Sequence, residues 1–347
     1  MEFHPHFLTS HVGSVPHLDG IEISDWICKY LDIPAWTQHP RKTFLESIYV
    51  QYSHSLPAIV VDGIKQKISF DTGSDITQRL ETFYTNYLAD DIDSFALSPE
   101  YASGFFTMLE TLQRYPGEWA KGQVIGPISF GLTITDQNLR ASIYNEMLED
   151  VIVKNMAMNA RWQIHQMHNV RPNIIIFVDE PYMASYGSAF ISLRREQVIS
   201  NMNEVIQAIH NEGALAGTHC CGNTDWSVLL STQVDILNLD AYSFMETLSL
   251  YPVELRQFLD RGGIFAWGIV PTSDEVYQLE PSILANRLLE GFELISQKSR
   301  SHNVHISPDD FANCSILTPS CGFGTTSIKT AELVFETLVR TAEILKK

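Results

Sequence analysis

The sequence predicts an α/β protein, and within that class a closed (β/α)8 barrel. Three observations carry this reading. Short β-branched apolar runs recur eight times, amphipathic stretches with helix punctuation lie between them, and no Pro/Gly/Ser-rich linker or low-complexity tract interrupts the series. Strand–helix alternation implies parallel strands joined by right-handed crossovers, and a count of eight favours a closed TIM barrel over an open sheet. At 347 residues the chain is long for one domain but within the size of such a barrel, so 1–347 reads as a single unit.

In chain order the predicted strands are Leu8–Ser14 (LTSHVGS), Leu56–Gly63 (LPAIVVDG), Ala120–Pro127 (AKGQVIGP), Asn173–Asp179 (NIIIFVD), Ala214–His219 (ALAGTH), Val234–Asp240 (VDILNLD), Gly263–Pro271 (GIFAWGIVP) and Cys314–Cys321 (CSILTPSC). Their near-continuous apolar character suits strands covered on both faces. The segment Gly63–Asp75 reads as a β-hairpin inserted after strand two, and the long stretch after it has room for a lid. Helical periodicity is clearest in Arg194–Glu212, where Val198, Met202, Val205, Ile206 and Ile209 share a face and Gly213 stands at the C-cap. Ala331–Leu345 has the same stripe.

Bulk composition narrows the function. With 45% hydrophobic and 18% charged residues the chain can bury a large core. A formal charge of -18 and no Lys/Arg-rich run argue against nucleic acid as a partner. The first residues, MEFHPHFLTS, lack a basic and long apolar leader, and no run approaches the length of a membrane span, so a cytoplasmic protein without a membrane partner is expected. The five cysteines, at 28, 220, 221, 314 and 321, are odd in number and clustered late, which is not a secreted disulfide framework.

In a barrel, chemistry concentrates where strands end at the C-terminal face. Ser14 closes the first predicted strand, Asp179 the fourth, His219 and Cys221 the fifth, Asp240 the sixth and Cys321 the eighth. A histidine, two cysteines and a carboxylate at neighbouring strand ends make the donor set of a tetrahedral zinc site, and thiolate with imidazole selects zinc over magnesium or calcium. In Gly217–Asn223 (GTHCCGN), His219 and Cys221 are two apart and point the same way, which leaves Cys220 facing elsewhere. The competing reading is that these are small buried core residues, as free cysteines often are. A structural zinc fits less well, because such sites use compact paired motifs whereas these residues come from far apart.

The motifs HVGSVPH (11–17), KGQVIGPISF (121–130), FVDEP (177–181), THCCGNTDW (218–226), VDILNLDAY (234–242) and TPSCGFGT (318–325) run in order through nearly the whole chain. Together they resemble the C-terminal catalytic half of cobalamin-independent methionine synthases, within the superfamily of uroporphyrinogen-decarboxylase-like barrels. The resemblance implies zinc on His219, Cys221 and Cys321, with Asp240 in the place of a family glutamate as the fourth ligand. It implies that Ser14 binds the carboxylate of the amino-acid substrate and Asp179 its ammonium. Bland roles exist for both: Ser14 as a helix cap, Asp179 as an acceptor for backbone amides.

Two departures bear on the methyl donor. There is no room for the duplicated N-terminal barrel of the folate-dependent enzymes, and the family's histidine-bearing element after strand seven is replaced by Trp267–Ser273 (WGIVPTS). Both resemble the short core methionine synthases, which implies methyl transfer from a methyl-corrinoid, possibly carried by a corrinoid protein, to homocysteine, rather than from methyltetrahydrofolate. Zinc deprotonates a bound thiol, and Co(I) leaves without needing a proton. Another small thiol such as coenzyme M, a zinc-free decarboxylase of the same superfamily and a non-catalytic zinc-dependent thiol or corrinoid carrier are the alternatives. Trp226 and Trp267 stand where they line either a pocket or the core, and His11 and His17 flank the VGS segment.

Overall fold

A computed structural model of the chain describes residues 3–347. Among them the strands are β1 (Leu8–Thr9), β2 (Ile59–Asp62), β3 (Lys67–Phe70), β4 (Trp119–Ile125), β5 (Asn173–Asp179), β6 (Leu215–Cys220), β7 (Ile236–Leu239), β8 (Ile264–Val270) and β9 (Ser315–Pro319). Seven form one curled parallel sheet in the order β1-β9-β8-β7-β6-β5-β4, which accords with the α/β class read from the sequence. Helices follow the strands, among them Arg195–Asn211 and Ile328–Leu345. The first buries the predicted face, Val198 through Ile209, and ends at Gly213 with φ +75°.

Side chains alternate along each strand, so every second residue faces the concave side of the sheet. Ile175 and Phe177 of β5, Ile236 of β7, Ile264 and Ala266 of β8 and Ile316 of β9 form a compact inner cluster there, joined by Ile33. A much larger apolar cluster fills the layer between sheet and helices.

The closed ring of eight strands is not present. The predicted second strand, Leu56–Gly63, contributes β2, which pairs antiparallel with β3 in a separate hairpin. The hairpin therefore begins inside the expected strand rather than after it. Between β1 and β4 runs an irregular segment, residues 33–38, touching each neighbour through single parallel bridges, Ser14 with Gln38 and Ala35 with Lys121. Pro34 has no amide hydrogen for a ladder, which is one reason no regular strand forms here. Main-chain bonds still tie it to both sides: Ile33 N–H to Thr9 O (2.9 Å), Val15 N–H to Gln38 O (2.9 Å) and Gln38 N–H to Gly13 O (3.2 Å) on one, Lys121 N–H to Pro34 O (2.8 Å) and Trp36 N–H to Lys121 O (3.2 Å) on the other.

Buried side chains supply the rest. Trp36 Nε1 donates to Gln163 Oε1 (2.9 Å), Gln163 Nε2 to Gln123 O (2.9 Å) and Gln123 Nε2 to Trp36 O (3.1 Å), a closed loop of bonds between the segment, β4 and the helix Glu146–His168. The stretch between hairpin and β4 folds into the helices Thr77–Leu88 and Ser103–Arg114.

Candidate metal centre and its cavity

Parallel register sets the site. Asp179 lies beside His219, and His219 beside Asn238, as Cα partners on β5, β6 and β7. Cys221 follows one residue after β6, and Cys321 two residues after β9. The outcome is that one ligand atom each from His219, Cys221 and Cys321 lies within 4.8 Å of the others, the group with metal-ligand chemistry found among the described residues.

The electrostatics suit a cation. His219 is buried and its Nε2 makes no well-formed hydrogen bond; burial would lower the ring, but the neighbouring Cys221 sulfur, with Asp179, raises it, so this edge of the ring looks onto negative charge. The Cys321 thiol and the His219 ring draw Cys221 down to about 4, while Cys221, together with burial, pushes Cys321 far above the ordinary thiol range. Cys221 is therefore the more acidic of the two thiols and Cys321 the one whose proton a divalent cation would displace. Imidazole nitrogen plus two sulfurs, with a fourth position left open, is a donor set that fits a catalytic zinc.

Asp240 is not part of this group. Its Oδ1 accepts the Ser243 N–H (2.9 Å) at the start of the short helix Ala241–Phe244, so the side chain is engaged as an N-cap. The fourth ligand expected from the strand-end pattern is thus turned to helix capping, although Asp240 remains close enough for the Cys221 sulfur to add to the effect of burial and raise its carboxyl.

The cluster opens on a cavity of about 750 Å3. His219, Cys221, Cys321, Asp179 and Ser14 all line it, so five of the six residues singled out from the sequence meet there. Asp179 is buried with its Oδ1 unpartnered; burial raises its carboxyl to about 6, against the opposing pull of Lys121 and His219. Ser14 accepts the Gly324 N–H on its Oγ (3.3 Å) and the Phe323 N–H on its carbonyl (2.8 Å), which docks the loop carrying Cys321 onto the VGS segment. A Cβ at Gly322 would meet Ser14 Oγ at 2.2 Å, so any larger residue there would turn the Ser14 hydroxyl out of its bond to Gly324. Glycine is required on the other side, at Gly13, which has φ +151° and is wedged between Gln123 and Gln38.

Sequence reasoning missed several residues. Glu46 and Gln38, both buried, and the exposed Arg41 line the opposite wall. Burial raises the Glu46 carboxyl even though Ser103 Oγ donates to it at 2.5 Å. Lys121, fully buried behind the cavity, gives its ammonium to Val12 O (2.8 Å) and Gln123 Oε1 (3.3 Å) above the Phe177 ring. Nothing in their local sequence signals these positions: Gln38, Arg41 and Glu46 follow no strand end, and Lys121 lies inside the apolar run of β4. Other residues resolve to structure: Trp226 and Trp267 are core, His11 is buried on Ala35 O, and His17 is absent from the cavity lining. Glu180 of the DEP motif accepts the Ile128 (3.0 Å) and Ser129 (2.7 Å) amides, which explains the neighbouring Gly-Pro turn.

No family model matches the chain, and no curated protein sequence matches it. Among solved structures it is similar to a B12-independent methionine synthase from Shewanella sp. W3-18-1 in complex with selenomethionine, at a TM-score of 0.55 and 14% identity over 97% of both chains. It also matches the β-glycosidase from the hyperthermophile Thermosphaera aggregans, at a TM-score of 0.46 and 11% identity over 100% of both chains. The first likeness speaks to the fold alone, and the second carries no argument. No helix among the described residues is long and apolar enough to cross a membrane.

Proposed function

We propose that the protein is a zinc-dependent thiol methyltransferase that forms methionine from homocysteine. One observation carries the reading: the unpartnered Nε2 of His219 and the sulfurs of Cys221 and Cys321 converge within 4.8 Å, in the same cavity as the unpartnered carboxylate of Asp179. The fold neighbour's complex with selenomethionine is in keeping with an acceptor of this class.

His219, Cys221 and Cys321 would hold the metal. Zinc, when bound, supplies a Lewis acid that removes the proton of an acceptor thiol at neutral pH. Two thiolates from the chain balance the charge of the ion, so the acceptor sulfur keeps its nucleophilicity. Asp179 faces the substrate ammonium, and Ser14 with the Gly322–Gly324 backbone faces its carboxylate. The acceptor sulfur forms the new bond to methyl as the donor–methyl bond breaks, and the donor keeps the electron pair. We take the donor to be a methyl-corrinoid, free or protein-bound, because residues 267–273 offer no histidine to protonate a folate nitrogen. The irregular segment 33–38 stands in this reading for the missing barrel strand.

Asp179 also weighs against coenzyme M, whose sulfonate it would repel, and Arg41 is the one Lys or Arg side chain among the described lining residues, a poor match to a polycarboxylate decarboxylase substrate. The test is metal analysis of the purified protein followed by methyl transfer to homocysteine, with methylcobalamin and methyltetrahydrofolate as competing donors. Zinc near one per chain with methionine formed from methylcobalamin supports the proposal. Turnover from the folate alone overturns the donor, and a protein without zinc overturns the site.

A further inference from the structure

His219 has two ring nitrogens, and only one can present a lone pair to the cavity. In a free neutral imidazole the proton is mobile between them. Here a chain of bonds across three strands removes the choice. The Ala266 carbonyl of β8 can only accept, and it lies 2.6 Å from Asn238 Nδ2. That contact fixes the orientation of the Asn238 amide, with the second Nδ2 hydrogen directed to Thr318 Oγ1 (2.8 Å) on β9. The amide oxygen then faces His219 Nδ1 at 2.6 Å. An oxygen with no hydrogen of its own demands one from the ring, so a proton sits on Nδ1 and Nε2 is left as the ring atom turned to the cavity.

We infer that Asn238 is the positioning residue of the centre: it holds His219 as the Nδ1–H tautomer before any metal arrives. The geometry comes from register, since His219, Asn238 and Ala266 are successive Cα partners across β6, β7 and β8. All three side-chain groups involved are buried, so water does not compete for the bonds. The inference rests on the zinc reading for its purpose, but its content concerns the metal-free protein. Ring orientation and basicity set by such a partner typically change metal affinity by about 10–100-fold.

The tautomer is read directly by nitrogen NMR of the metal-free protein labelled at histidine, prepared by chelation. Wild type is expected to show His219 protonated on Nδ1, and a ring whose Nδ1 carries no proton would overturn the inference outright. Asn238→Leu removes the acceptor while keeping the volume; it is expected to shift His219 toward the Nε2–H form and to weaken zinc about 10–100-fold in chelator competition. Asn238→Asp serves where the leucine variant does not fold. Its neutral acid reproduces both bonds, with the hydroxyl to Ala266 O and the carbonyl to Nδ1–H, so the wild-type tautomer is expected. An unchanged tautomer in Asn238→Leu, or a changed one in Asn238→Asp, counts against the role. Failure of the zinc reading looks different: the wild-type tautomer would be as described, and zinc would not bind.

Discussion

The cavity has two walls built on different principles. On one side stand β5, β6, β7 and the end of β9, regular parallel strands whose register aligns Asp179, His219 and Asn238 in one row and delivers the two sulfurs just beyond. On the other side stand residues 12–14, 33–38 and 46–48, which belong to no regular strand and are held by isolated bridges, a few main-chain bonds and buried side-chain amides. A ladder fixes a side chain through many backbone bonds, each replaceable. The irregular wall depends on individual buried polar groups, so single substitutions there should change stability and substrate fit while leaving the metal centre intact.

The largest effect is expected from the regular wall. Cys221→Ala or Cys321→Ala removes one of the three proposed ligands, and on the zinc reading metal content should fall from about one per chain to near none, with transfer abolished. Metal analysis and the methyl-transfer assay decide this; a variant that keeps full metal and rate removes that residue from the centre. Asp179→Asn, in the same row but aimed at substrate, separates the two functions of that wall. It should retain zinc while the KM for homocysteine rises about 10–100-fold, the loss of one charge-assisted bond. An unchanged KM would take Asp179 out of the substrate site.

Next in size is a pH effect. In the metal-free protein Cys321 and the His219 ring draw Cys221 down, while Cys221, with burial, pushes Cys321 well above the ordinary thiol range, so Cys321 is the thiol that holds its proton at neutral pH. Binding must expel that proton, so apparent zinc affinity should weaken by about tenfold for each unit the pH falls. Chelator competition at several pH values, with proton release followed in weak buffer, measures the slope. A flat profile would show that both sulfurs were ionised beforehand.

The irregular wall is probed by Gln163→Leu. The change strands Trp36 Nε1 and Asn159 Oδ1, each bonded to Gln163 in the wild type, while the Gln123 carbonyl keeps the Tyr52 hydroxyl; it should cost about 1–3 kcal/mol in denaturant unfolding with zinc stoichiometry unchanged. Loss of zinc in a folded variant would mean that the two walls are coupled.

The same division decides what was legible in the sequence. Runs such as NIIIFVD and GIFAWGIV are continuous, β-branched and buried, so their ends could be counted, and the cysteine and histidine at those ends marked themselves by residue type. The segment IPAWTQ has a proline, no alternation and only two aliphatic residues beyond it, while the more strand-like IVVD was taken for the second strand although it forms a hairpin. Asn238 was invisible for another reason: an asparagine in a strand carries no signal until the Ala266 carbonyl shows which way its amide must turn. Cys321 was found as a strand end, but its loop is placed by Ser14, a contact between residues more than three hundred positions apart.

The smallest expected effect bears on the regular wall's one exception. Asp240 ends its strand in the position from which a fourth ligand would come, yet its carboxylate accepts the Ser243 amide and caps a helix. If capping is its whole role, Asp240→Ala should lose about 0.5–2 kcal/mol of stability and bind zinc as tightly as wild type. If instead the carboxylate leaves the cap to complete the coordination sphere on loading, the variant should bind zinc more weakly and the wild-type helix should fray when metal is added. Zinc affinity and hydrogen exchange at the Ser243 amide, measured with and without metal, separate these outcomes. In the first outcome His219, Cys221 and Cys321 would be all the chain offers a zinc ion, and an acceptor thiol would meet no competition from Asp240. A mobile Asp240 would instead make substrate binding an exchange of carboxylate for sulfur.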